Sequence, residues 1–183
     1  MQTLRRSLAP LLVPAVLLAS CGGGGSVPAS TVETVGVTAT APPVTTPSRQ
    51  VIYVLQAGGE HLIATPVPGT PRGQARYGAL LGHLFSNPES PVPSGTVIRS
   101  ARTRGDVLVV DVSEAFASGY PAGGAAAENL VLGAIVFTIT RSFPEIRGVQ
   151  IFIEGQPADV SSQYDLSTPL TVDDLPNDLV AEE

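Results

Sequence analysis

The stretch "ENLVLGAIVFTITRSF", residues 128–143, decides the fold because it can be read two ways. Its valines, isoleucines and threonines favour a strand. Against that, Leu132, Val136, Ile139 and Phe143 recur at i, i+4, i+7 and i+11, which is a helical period. The segment is longer than an ordinary strand of about 4 to 8 residues, so length settles it as a helix. Apolar residues also occupy its other faces, which predicts a helix packed beneath a sheet rather than one lying at the surface.

On the N-terminal side, "TVIRSA" (96–101) and "VLVVDV" (107–112) flank "RTRGD", where Gly105 permits a tight turn, so a hairpin is expected. Leu108, Val110 and Val112 then share one face and Asp111 points the other way. On the C-terminal side, "VQIFIEG" alternates Val149, Ile151 and Ile153 with Gln150, Phe152 and Glu154, a last strand ended by Gly155 and Pro157. Further upstream, "GQARYGALLGHLF" places Tyr77, Leu80, Leu81, Leu84 and Phe85 on one helical face, and Asn87-Pro88 stops that helix. The runs "VIYVLQ" and "HLIATPV", joined by "AGGE", form an opening hairpin that Pro66 and Pro68 close. The resulting order, β-β-α-β-β-α-β, predicts an α+β two-layer sandwich with its helices on one face of a mixed sheet.

The succession "PSGTVIRSA", "VLVVDVSEAF", "ENLVLGAIVFTIT" and "VQIFIEGQP" resembles the GerMN domain family over about Val51 to Pro157. The resemblance rests on the Pro-x-Gly-Thr turn, the Val-Asp-Val-Ser with Phe116, and the Ile-x-Ile-x-Gly end. It implies a sporulation- or germination-like envelope lipoprotein domain, related to ring-building motifs of secretion and sporulation assemblies, with no established catalysis. One departure is visible: the family's first helix commonly ends in a Leu-Leu-x-Gly-Pro type of turn, where this chain has "LLGHLFSNP".

Ahead of the domain, Arg5 and Arg6 precede an uncharged apolar run from Leu8 to Ala19, which reads as a signal peptide over residues 1–20. The run falls well short of the ~20 residues that a spanning helix needs. Leu18, Ala19 and Ser20 lead directly into Cys21, the pattern of a bacterial lipobox. That likeness implies cleavage before Cys21 and a lipid thioether on its sulfur, with membrane anchoring outside the cytoplasm. Residues 21–50 are rich in Gly, Ser, Thr, Pro, Ala and Val, a composition that cannot bury enough surface to order itself, and they are expected to form a tether.

The chain has 183 residues, and its formal net charge of -6 becomes about -8 once Arg5 and Arg6 leave with the signal segment. Nucleic acid is therefore a poor partner. The absence of tryptophan and the few other aromatic residues argue against stacked-ring carbohydrate or base platforms. One cysteine excludes an intramolecular disulfide and a cysteine-based metal site.

Candidates for chemistry are few, and neither a catalytic residue nor a cofactor is expected. His61 and His83 stand in no recognisable motif, and both read as solvated. Asp111 and Glu114 are a candidate carboxylate pair for glycosidase-type chemistry, yet the strand pattern turns Asp111 to solvent. "PAGGAAAE" lacks a phosphate-loop signature and reads as a loop before the second helix. Arg104-Gly105-Asp106 marks an exposed hairpin tip. Residues 158–183 carry Asp173, Asp174, Asp178, Glu182 and Glu183 without the spacing of a calcium loop, and are expected to be a solvated acidic tail. The expectation is a lipid-anchored envelope module that contacts proteins. A peptidoglycan- or small-ligand-binding module is the alternative, and an envelope hydrolase a more distant one.

Overall fold

The computed structural model describes residues 50–121 and 124–181. The signal segment, Cys21 and the tether up to residue 49 lie outside the described residues, as do Glu182 and Glu183.

Residues 128–143 are helical. The central helix, α3 (Ala125–Ser142), is buried on every side from Val131 to Ile139, as expected of a helix apolar all round. A five-stranded mixed sheet lies on one side of it, built from β3 (Ile98–Arg104), β4 (Val107–Val112), β5 (Gly148–Ile153), β6 (Gln156–Pro157) and β7 (Leu170–Thr171). β3 and β4 pair antiparallel, and β4 and β5 pair in parallel through the crossover that contains α3. Leu108, Val110 and Val112 of β4 and Val149, Ile151 and Ile153 of β5 fill the covered face, in the alternation read from the sequence. The first helix, α1 (Ala75–Phe85), lies beside α3 on the same face and covers β3.

The opening hairpin, β1 (Val51–Leu55) and β2 (Leu62–Pro66), forms its own antiparallel sheet and packs on α3, so the single sheet expected from the element order is corrected to two. A two-stranded sheet has two free edges, and α3 satisfies one of them with side chains. Thr138 Oγ1 accepts from the Tyr53 amide at 2.9 Å, Ser142 Oγ accepts from the Val51 amide at 3.2 Å, and the Leu55 amide donates to the Glu89 carbonyl at 2.9 Å. Thr138 is therefore fully buried in an otherwise apolar stretch without being a misplaced polar residue.

The other edge is met at Leu62 by the C-terminal segment, which is where expectation and structure differ most. The Leu62 amide donates to the Leu179 carbonyl at 2.7 Å, and the Ala181 amide donates to the Leu62 carbonyl at 2.9 Å. β7 pairs with β5, a 3-10 turn follows at Val172–Asp174, and Leu166, Leu170, Leu175 and Leu179 are all buried. The carboxylates of Asp173, Asp174 and Asp178 face solvent as expected, but the leucines between them anchor the segment, so residues 158–181 are not a loose tail. Gly133 of α3 makes this close approach possible. A Cβ there would stand 3.2 Å from a Leu179 methyl and 3.2 Å from a Leu62 methyl.

A further difference is the short helix α2 (Ala115–Gly119), which replaces a simple strand exit after β4. It still delivers Phe116 into the core, where the ring meets Tyr120 at 5.4 Å. No helix among the described residues is long and apolar enough to cross a membrane.

Candidate functional site

The residues singled out by the sequence are scattered. His61 sits in the turn ahead of β2 rather than in the strand, and it is exposed. Its Nδ1 lies 3.0 Å from the Asp178 carbonyl, which can only accept, so Nδ1 carries the hydrogen. The depression beside it holds about 300 Å³ and is lined by Glu60, Asn129 and Asp178 among others, with no hydroxyl or thiol in its lining. His83 is half-buried in the last turn of α1, in a different part of the fold. Among the described residues, neither histidine ring is hydrogen-bonded to a carboxylate or a hydroxyl.

Among the described residues, no hydrogen bond links Asp111 to Glu114, and Asp111 is engaged elsewhere. Asp111 Oδ1 accepts from the Gly155 amide at 2.9 Å, and its Oδ2 lies 3.5 Å from Arg99 Nε. Arg99 also pairs with Glu154, whose other oxygen accepts from the Glu114 amide at 3.2 Å. Glu154 and Gly155 form the two-residue turn into β6, both with positive φ (51° and 80°), as a type I′ hairpin requires. The carboxylates here stabilise a turn. The Arg104-Gly105-Asp106 tip is also tied down, because the Arg147 amide donates to the Asp106 carbonyl at 2.7 Å. Gly105 at φ +63° supplies the conformation its turn needs. Among the described residues, no group of three or more His, Cys, Asp or Glu could hold a metal ion.

Two features were not read from the sequence. The first is a carboxylate clamp. Glu128 lies in the first turn of α3 and is only 2% exposed. Its oxygens accept from the Ser161 hydroxyl, from the Ser162 hydroxyl at 2.6 Å and from the Ser162 amide at 3.0 Å. Burial works to raise its pKa, but these donors together outweigh burial and hold the carboxyl below its usual range. Alongside, the Tyr164 hydroxyl donates to Asn129 Oδ1 at 2.5 Å. The Tyr120 hydroxyl is buried with no hydrogen bond of good geometry. Burial, reinforced by the charge on Glu128, pushes it up to about 12. The hydrogen bonds of Glu128 and Asn129 join the C-terminal segment to the start of α3.

The second feature is open to solvent. A cleft of about 590 Å³ runs between α1 and the free edge of β3, with Gln74, Ala75 and Gly78 on one side and the strand from Ile98 to Thr103 on the other. Its width comes from Gly78, where a Cβ would meet only the Ala101 methyl at 3.9 Å. Gly78→Ala therefore removes a helix-interior glycine without a clash. It is expected to raise stability by roughly 0.5 to 1 kcal/mol in denaturant melts. Arg102 and Arg104 are exposed on β3 and make no ion pair among the described residues.

The family described as "Germane: Sporulation and spore germination" matches residues 51–159 of this sequence. The chain belongs to the Germane family. Solved structures agree on the fold. The first GerMN domain of the sporulation protein GerM from Bacillus subtilis is 16% identical with a TM-score of 0.51, over 73% of this chain and 96% of that one. A candidate lipoprotein from Clostridium perfringens is 21% identical with a TM-score of 0.50, over 71% of this chain and 91% of that one. The tandem GerMN domains of GerM are 16% identical with a TM-score of 0.50, and the match covers 70% of this chain but 45% of theirs. None of the curated proteins matches. The Germane match ends at residue 159, yet the Ser161 and Ser162 donors of the clamp and the covering leucines lie beyond it.

Proposed function

We propose that this chain is a lipid-anchored lipoprotein of the cell envelope, whose Germane domain is a non-catalytic module that binds other proteins. The observation that supports the binding role best is the uncovered edge of β3 with its cleft and unpaired arginines, a surface suited to another polypeptide. The anchoring role is supported by the lipobox pattern that ends in Cys21. A protein of the same fold from Clostridium perfringens is itself described as a candidate lipoprotein.

Two measurements test the two halves separately. Cells fed an alkyne fatty acid are expected to label the wild-type chain and not Cys21→Ala, and an unlabelled wild-type chain would remove the anchor. A photo-crosslinking residue in place of Arg102 in the full chain is expected to give a discrete protein adduct in intact envelopes, and the same residue at the exposed Arg141 is not. No adduct at position 102 would refute the binding role of this face.

A further inference from the structure

We propose that β3 is completed by an added strand, supplied by an extended acidic segment of a partner protein that alternates carboxylate and small apolar side chains. This deepens the protein-binding reading above and rests on it.

The other open strand edges in the described residues are short: β6 has two residues, one of them Pro157, and β2 beyond Leu62 ends in Pro66. β1 is capped by Thr138, Ser142 and Glu89, β2 is met by the C-terminal segment at Leu62, and β5 is flanked by β6 and β7. The longest strand, β3, has a partner on one side only. A two-residue turn sets Arg104 opposite Val107 as a hydrogen-bonded pair. Alternation then points the N–H and C=O groups of Ala101 and Thr103 at the open edge. Such a row of free donors and acceptors is a template for another strand.

The flanking side chains select which strand. On the outer face of the sheet, Arg102 and Arg104 stand at alternate positions without carboxylate partners, so an added strand would meet positive charge at every second residue. On the other face, Ala101 and Gly78 leave a cleft for small apolar groups. Acidic residues facing outward and valine- or alanine-sized ones facing α1 satisfy both sides at once. A second copy of this chain offering the same strand would set arginine against arginine. The register shift between Ile98 and Ser100 further disfavours that pairing.

The test is a titration of the detergent-solubilised full chain with peptides of about nine residues, an ordinary strand length. One alternates glutamate with valine, one lysine with valine, and one glutamate with proline, which keeps the charge and cannot pair as a strand. Saturable binding of the first alone is expected, with the amide resonances of Ala101 and Thr103 shifting most. Arg102→Glu combined with Arg104→Glu should weaken it roughly tenfold while leaving the melting transition in place. Ala101→Pro removes an edge donor and should abolish binding, provided that its melt shows it folded.

Equal binding of the glutamate–proline peptide, shifts confined to the outer sheet face, or concentration-dependent self-association that the acidic peptide does not compete away would each overturn the proposal. A protein adduct at position 102 alongside any of these would leave the broader binding reading standing while strand addition fails.

Discussion

A chain ending at Asp159, the last residue of the Germane match, is expected not to fold. It would lack Leu166, Leu170, Leu175 and Leu179, all buried against the rest of the domain. Each buried leucine contributes about 1.5 to 3 kcal/mol, so the four together represent roughly 6 to 12 kcal/mol. The whole stability of a domain is about 5 to 15 kcal/mol. Truncation also removes the hydrogen-bond partners of Leu62 at the edge of β2 and leaves Glu128 without its hydroxyl and amide donors. Circular dichroism of the truncated chain should show no cooperative thermal transition. The single substitution Leu175→Ala should keep the transition but lower stability by about 2 to 5 kcal/mol. A truncated chain that melted cooperatively near the full-length midpoint would contradict this account.

That segment also shows where the sequence stops being informative. The helix at 125–142 was legible because its length and period agree, and the alternation of "VLVVDV" and "VQIFIEG" gave the covered face of the sheet correctly. The C-terminal leucines at 166, 170, 175 and 179 fit neither a strand nor a helix period. They lie among prolines and aspartates, so composition reads them as a solvated tail. Only the shape of β2, α3 and β5 gives each of them a place. The separation of the first hairpin from the main sheet was hidden for a similar reason. It depends on Thr138 and Ser142 meeting β1 across more than 80 residues of chain, and nothing local distinguishes those hydroxyls from other helix-surface ones. The α2 helix and the strands β6 and β7 are shorter than any period that could announce them. The arginines of β3 could be read as exposed strand positions, but whether their strand lies at an edge follows only from the pairing.

Among the polar side chains, Glu128 sets the largest expected effect. Glu128→Ala leaves two serine hydroxyls and a backbone amide without their acceptor and is expected to cost about 3 kcal/mol. Glu128→Gln keeps one acceptor oxygen but turns an amide NH₂ toward groups that donate, and should cost about 1 to 2 kcal/mol. The carboxyl's folded pKa lies below its unfolded value, so the unfolded chain takes up the proton first as pH falls. Its contribution is therefore complete above the unfolded value of about 4.3 and is lost as pH drops through the depressed one. Asp174 behaves alike, since the Thr171 amide and then its hydroxyl hold it low, and it lies in the same segment. Acid should thus loosen residues 158–181 first, which hydrogen exchange would register as early loss of protection at Leu62 and Ala181. Tyr120 acts in the opposite sense. Burial raises its phenol to about 12, so stability falls as pH rises from the ordinary value of about 10 toward 12. Denaturant melts across pH should therefore show wild type and Glu128→Gln well separated at neutral pH and drawing together as pH falls below about 4. Parallel curves over that range would mean that the clamp is not held by the charge on this carboxylate.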